Sequence, residues 1–147
     1  MRRTTVLFAL ITLAGLVGMA APASADDATL VAYMFGANER PNLGDPDAVG
    51  RAVVTINDAT NTICVALQVA NVDMPFTGFH IHFAPPGSAG PIVIPFAAPT
   101  GQESYQCKVV EDEALMDNIA ANPGQYYINV HNAPYPGGAA RGQLQPA

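Results

Sequence analysis

Apolar and polar residues alternate along most of the chain beyond residue 26, in short runs bounded by glycine, proline, asparagine and aspartate. The clearest run places Ile63, Val65, Leu67 and Val69 at every second position. Period-two alternation with such boundaries is typical of strands that pack one face on a core. Seven other segments share the pattern, at residues 29–35, 51–56, 78–83, 91–96, 104–109, 126–131 and 139–145. Eight short strands at this spacing predict an all-β fold, either a sandwich or a barrel.

One segment departs from the alternation. Between Glu111 and Ala121, apolar residues recur at helical spacing. Three acidic residues stand in its first turn, where the helix dipole favours negative charge. Asn122 and Pro123 follow and end the pattern. We therefore expect one short helix that crosses between strands.

The first 25 residues follow the order of a secretory signal peptide. Arg2 and Arg3 give a positive start, residues 6–21 are almost all apolar or small, and Ala23-Ser24-Ala25 offers a cleavage site. An uncleaved anchor is the less favoured alternative, because a membrane span needs roughly 20 apolar residues. No cysteine stands near the cut to carry a lipid. We expect residues 26–147 to form one secreted domain, periplasmic where the cell has an outer membrane, with no stable membrane anchor.

The net charge limits which classes of partner such a domain can bind. The chain has 12 acidic and 6 basic residues, which give a net charge of −6. Two of the basic residues, Arg2 and Arg3, belong to the predicted signal peptide. An acidic surface repels nucleic acid and anionic membranes. We therefore expect no nucleic-acid partner.

The two cysteines, Cys64 and Cys107, both lie in the predicted exported domain. An even pair in an oxidising compartment usually forms a disulfide. Two buried thiols are the alternative if their strands are not neighbours. Neither cysteine has a histidine or a basic cluster beside it, so a catalytic thiol is disfavoured.

The chain has three histidines, and all of them fall on two predicted strands. His80 and His82 stand at alternate positions, so their strand has one imidazole face. His131 ends a second strand, on the same face as Asn129. If these strands are close, three imidazoles converge, which suits copper or zinc with one position left open. Taken alone, a His-x-His pair is more often a polar face bonded to nearby backbone.

Four stretches that span nearly the whole predicted domain form an ordered series: Gly36–Pro41, Gly78–Ala84 with Gly90–Val93, Asn122–His131, and Gly138–Leu144. Together they resemble the CHRD domain, a family named after chordin and found in many bacterial secreted proteins. The family implies an extracellular domain but no settled biochemical activity.

A fainter resemblance is to the copper-binding strands and the active-site arginine segment of Cu/Zn superoxide dismutase, and it concerns Gly78–His82, Val130–His131 and Gly138–Gly142. That enzyme is a Greek-key β-sandwich, so the resemblance implies a Greek-key antiparallel β-sandwich of about eight strands here. It also implies copper ligands at His80, His82 and His131. Arg141 would then stand beside the open position of the metal and attract an anion.

The dismutase pattern also includes a histidine that bridges copper to zinc, and further zinc ligands in a long loop. This chain has no counterpart to them, and its segment at residues 84–91 is short and rich in proline. The resemblance therefore implies copper binding more directly than efficient superoxide dismutation.

Two functions of different classes follow. In the first, the three histidines bind copper, or less readily zinc, while Asn129, Asn132 and Glu39 orient the rings from outside. In the second, the domain is a non-enzymatic extracellular interaction module with structural histidines. Its candidate contacts for a protein partner are then three tyrosines near the end of the His131 strand, Tyr126, Tyr127 and Tyr135.

Overall fold

The computed structural model describes residues 27–147, so the predicted signal peptide lies outside the described residues. These residues form nine strands and one α-helix, with three short 3-10 helices between them. The α-helix, α1, is Glu113–Ala121. The strands are β1 Ala28–Phe35, β2 Val49–Asn57, β3 Thr62–Ala70, β4 Phe76–Phe83, β5 Ile92–Phe96, β6 Glu103–Val109, β7 Tyr126–Asn132, β8 Ala140–Gln143 and β9 Gln145–Pro146.

Every strand pairing is antiparallel, in the order β5-β4-β7-β8-β1-β2-β3-β6, with β9 beside β1. Strands distant in sequence are neighbours at β4–β7, β8–β1 and β3–β6, which is Greek-key connectivity. The predicted antiparallel Greek-key fold is therefore confirmed. We call β1, β2, β3 and β6 the disulfide half and β5, β4, β7 and β8 the histidine half. The halves join where β8 meets β1, with Phe35 opposite Arg141.

The core forms from alternate residues of each half, as the sequence pattern predicts. Ile63, Val65 and Leu67 of β3 are buried, and so are Phe79 and Ile81 of β4. Because successive strand side chains point to opposite faces, the residues between them lie on the outer side of the sheet. The histidines of β4 therefore lie on the face that points away from the core.

The outer strands of the two halves, β5 and β6, approach each other through side chains. The side-chain amide of Gln106 accepts a hydrogen bond from the Ala97 backbone N–H at 3.0 Å and donates one to the Ala97 carbonyl at 2.9 Å. The Nζ atom of Lys108 donates to the Pro95 carbonyl at 3.1 Å. The sheet is thus nearly closed on itself.

The predicted disulfide is present. Cys64 of β3 lies directly opposite Cys107 of β6, and the two sulfurs are bonded. The pair lies on the outer face of the disulfide half, where Cys107 is exposed. The neighbouring strands on which the bond depended are therefore confirmed.

Several strand ends lie one or two residues from the predicted bounds, and two further differences have a clear physical cause. The helix begins at Glu113, two residues late, because the carboxylate of Asp112 caps it by accepting from the Leu115 N–H at 3.0 Å. The last predicted strand is divided at the buried residue Leu144, whose N–H donates to the Tyr126 carbonyl at 2.9 Å.

Within residues 27–147, we find no helix with the length and apolarity needed to cross a membrane.

Candidate metal centre

The three histidines converge because β4 and β7 are adjacent antiparallel strands. Along this pair, His131 lies opposite Gly78, His80 opposite Asn129, and His82 opposite Tyr127. One nitrogen atom of each histidine lies within 4.8 Å of the corresponding atoms of the other two. A metal with bonds of about 2.1 Å holds two nitrogens at most about 4.2 Å apart, so small ring rotations are enough for all three to reach one ion.

Backbone carbonyls fix the tautomer of two of these rings. His82 Nδ1 lies 2.9 Å from the Gly90 carbonyl, and His131 Nδ1 lies 3.0 Å from the Pro136 carbonyl. A carbonyl oxygen only accepts, so the ring tautomer that makes these two bonds carries its proton on Nδ1 and keeps a lone pair on Nε2. Such hydrogen bonds from the distal ring nitrogen to backbone are usual for metal-binding histidines.

His80 contributes its Nδ1 atom to the cluster. This atom lies 3.2 Å from His131 Nε2, and the amide oxygen Oδ1 of Asn129 lies 3.0 Å from the same Nε2 atom. The Pro136 carbonyl and Asn129 Oδ1 can only accept, so a neutral His131 ring, which carries one proton, donates to just one of them. With the His131 proton on Nδ1 and the His80 proton on Nε2, the other nitrogen of each ring offers a lone pair to a cation.

The Nε2 atom of His82 is the strongest sign of a ligand in the cluster. His82 is only 7% exposed, and its Nε2 atom is buried with no hydrogen-bond partner among the described residues. A buried polar atom without a partner costs about 1–3 kcal/mol of stability. A metal ion would relieve this cost by accepting the lone pair.

Electrostatics keep the imidazoles neutral. Burial lowers the pKa of all three rings, and for His80 burial together with His131 and His82 lowers the pKa to about 4. Metal ions bind the deprotonated imidazole. The cluster therefore presents free lone pairs at neutral pH. His80 and His131 are only half-buried, so the cluster is open to solvent on one side.

Gly78 makes room for the rings. A Cβ atom at this position would lie 2.7 Å from His80 Cε1 and 3.2 Å from His131 Cδ2. Any other residue would therefore displace an imidazole. The sequence analysis did not identify this role, although Gly78 stands in two of the stretches that carry the family resemblances.

Arg141 lies behind the histidines. Its guanidinium carbon is 3.4 Å from the centre of the Tyr127 ring, and the His82 ring stacks on Tyr127 with centres 4.6 Å apart. Two groups this close cannot share one ring face, so Tyr127 separates Arg141 from His82. The guanidinium is buried and donates to the carbonyls of Ser88 and Pro85. Its attraction of an anion stays a prediction.

The predicted outer partners lie at different distances from the rings. Asn129 contacts His131 directly and lies close enough to Glu39 to act on the pKa of its carboxyl group. Glu39 is 1% exposed, and burial raises its pKa to about 7 against the opposing effects of Asn129 and Arg141. Asn132 instead bonds backbone at the adjoining turns, donating to the Asp73 carbonyl and accepting from the Tyr135 N–H at 3.0 Å each.

The candidate contact tyrosines of the interaction module are largely inside the molecule. Tyr126 and Tyr127 are each 3% exposed, and Tyr135 is half-buried. Tyr127 also accepts a hydrogen bond on its hydroxyl group from the Gly90 N–H at 3.4 Å. Tyr127 therefore supports the loop over the cluster.

The fold and the cluster define a small all-β domain with three histidines gathered on two adjacent strands. The family model of the CHRD domain matches residues 30–144, which is most of the chain and includes both halves and all three histidines. The chain belongs to the CHRD domain family, as its sequence predicted. No curated protein and no solved structure matches it.

Proposed function

We propose that this CHRD-domain protein is exported and binds one metal ion, copper in preference to zinc. The ligands are His80 Nδ1, His82 Nε2 and His131 Nε2. The observation that carries the proposal is the buried Nε2 atom of His82, which has no hydrogen-bond partner among the described residues and belongs to a cluster in which one nitrogen of each of three imidazoles lies within 4.8 Å of the others.

The preference for copper rests on the donor set. Neutral imidazoles bind copper, zinc, iron and nickel, and for divalent ions of this series the affinity is highest for copper. Three nitrogen ligands also leave at least one position open to water or a small molecule. Export is supported by the Cys64–Cys107 disulfide and by the family, because disulfides persist in oxidising compartments.

Each surrounding residue has a distinct part in holding the ligands. The carbonyls of Gly90 and Pro136 hold two rings with their Nε2 atoms pointing inward. Tyr127 supports the flat side of His82, and Asn129 contacts His131. The site is therefore formed before a metal arrives, which lowers the ordering cost of binding.

The proposal stops at metal binding. All three histidines of the chain already belong to the cluster, which leaves none to bridge to a second metal.

The test is a Cu(II) titration of the purified protein, followed by electron paramagnetic resonance. Because the chain has three histidines in all, hyperfine coupling from imidazole nitrogen can come only from this cluster. We expect one equivalent to bind, with a matching but weaker isotherm for Zn(II). His82→Ala should lose the imidazole-coupled signal of the intact site.

The matched control is Gln68→Ala, an exposed change on β3 in the other half, which should bind as the parent protein does. Binding that is not saturable, or that survives in His82→Ala with the same spectrum, would overturn the proposal. The interaction module would then be the better account of the domain.

A further inference from the structure

Positive charge is concentrated at one pocket of this acidic protein. Residues 27–147 contain four basic residues, and two of them, Arg40 and Arg141, line the same pocket of about 240 Å³. The side chains of Asn38 and Gln143 line it too, beside Pro86 and Gly87 of the loop after β4.

The hydrogen bonds of these two guanidinium groups go to uncharged acceptors. Arg141 is 2% exposed, and its contacts fix the guanidinium in place from several sides. The acceptors are the carbonyls of Ala37 and Glu39 for Arg40, and the carbonyls of Pro85 and Ser88 with the Gln143 amide oxygen for Arg141. Backbone and amide oxygens orient the two cations without neutralising them.

The carboxyl group near this pair compensates only part of the charge. Glu39 lies close enough to Arg141 to interact with it, yet burial raises the pKa of Glu39 to about 7, so the group is partly protonated at neutral pH. Burial lowers the pKa of Arg141, and the charge of Arg40 adds to this lowering. Two like charges thus face one small space.

We infer that this pocket binds a small oxyanion, of the size of phosphate, sulfate or a short carboxylate, between Arg40 and Arg141. The guanidinium of the half-buried Arg40 matches the paired oxygens of such anions, and Arg141, whose terminal nitrogens already donate to the protein, adds a second positive charge. The volume of about 240 Å³ lies below the roughly 300–1,000 Å³ of pockets for drug-sized ligands, so a nucleotide would not fit.

The anion pocket and the metal cluster are separate sites. The Tyr127 ring lies between Arg141 and His82, with one of them stacked on each face. The inference therefore goes beyond the proposed metal function and does not depend on it. It assigns Arg141 an anion that is shared with Arg40 and held apart from the metal ligands.

The test is isothermal titration of the protein, freed of metal by a chelator, with inorganic phosphate at constant ionic strength. Sulfate and acetate are titrated in the same way, and chloride is the control for ionic strength. We expect saturable binding of one equivalent of at least one oxyanion. Arg40→Gln should weaken it about tenfold, because a charge-assisted contact is lost.

Arg51→Gln is the matched control, since it removes the same charge from an exposed position on β2 in the disulfide half. This variant should bind the anion as the parent does, and so should His80→Ala. If Arg40→Gln and Arg51→Gln weaken anion binding equally, the effect comes from net charge alone and the inference is overturned. Absence of saturable binding for all three oxyanions would overturn it as well.

Discussion

Buried and outward-facing side chains alternate along the strands of both halves of the sheet, but the outer faces of the two halves differ in how far they are covered. In the disulfide half, Ala66 and Gln68 of β3 stand exposed on that face. In the histidine half, His82 and Asn129 occupy the equivalent face and are 7% and 1% exposed. The difference comes from the loops at residues 84–91 and 133–138, whose carbonyls bond the imidazoles. Covering a polar strand face with loops therefore creates a site, whereas the uncovered face stays structural.

The largest expected effect comes from removing the link in the disulfide half. The double change Cys64→Ala and Cys107→Ala should lower the free energy of unfolding by about 4 kcal/mol, because the bond closes a loop with a sequence separation of 43. Urea unfolding measures this loss. Copper affinity under native conditions should stay as in the parent, since every metal ligand lies in the other half. A parallel loss of copper binding would show that the halves are not independent.

The next effect concerns the pH dependence of stability in the metal-free protein. The pKa of Glu39 rises from 4.5 unfolded to about 7 folded. Its contribution to stability is therefore complete below about pH 4.5 and is lost as the pH rises to about 7. The pKa of His80 falls from 6.5 to about 4, so His80 contributes stability that grows as the pH rises through the same range. The two slopes oppose each other.

In Glu39→Gln, the free energy of unfolding should follow the pH dependence that His80 contributes, because the opposing contribution of Glu39 is removed. The variant is expected to gain stability relative to the parent between about pH 4.5 and 7, by an amount on the order of 3 kcal/mol. Chemical unfolding at a series of pH values measures it. His80→Ala is the counterpart. Its stability should fall more steeply than that of the parent as the pH rises from about 4.5 to 7, because the contribution of Glu39 is then less opposed. A pH profile for Glu39→Gln that matches the parent would contradict the raised pKa.

The smallest effect separates ring placement from ligand identity. Gly78→Ala keeps all three histidines, but its Cβ would lie 2.7 Å from His80 Cε1 and must displace that ring. Copper affinity should fall about tenfold, as is typical when the support of a ligand is disturbed. Gly124→Ala is the control, because nothing lies within 4 Å of its Cβ. Equal affinities in the two variants would mean that ring position does not matter to binding.

Much of the fold was predictable because the burial of one strand face appears in the sequence as an alternation of apolar and polar residues. Residues such as Val65 and Ile81 alternate with polar neighbours, and that period alone predicts which side chains enter the core. The same period predicts that His80 and His82 share a face. Cys64 and Cys107 form the predicted disulfide because β3 and β6 are neighbours, a pairing that no local pattern reveals.

The surroundings of the cluster were less predictable, because loops and distant residues provide them. The carbonyls of Gly90 and Pro136 have no side-chain signature, since any residue can offer a carbonyl. The stack of Arg141, Tyr127 and His82 joins three strands and depends on their register. The role of Asn132 in orienting the rings stays a prediction, and its side chain bonds to backbone at the neighbouring turns.

The contact between β5 and β6 bears on how this protein behaves in a crowded solution. An open strand edge is a template on which another chain can add a strand and start aggregation. Here the amide of Gln106 occupies the N–H and carbonyl of Ala97 as a neighbouring strand would, and Lys108 takes the carbonyl of Pro95. Two side chains thus stand in for a missing strand pairing, and we expect them to disfavour the addition of a strand from a second copy of the chain.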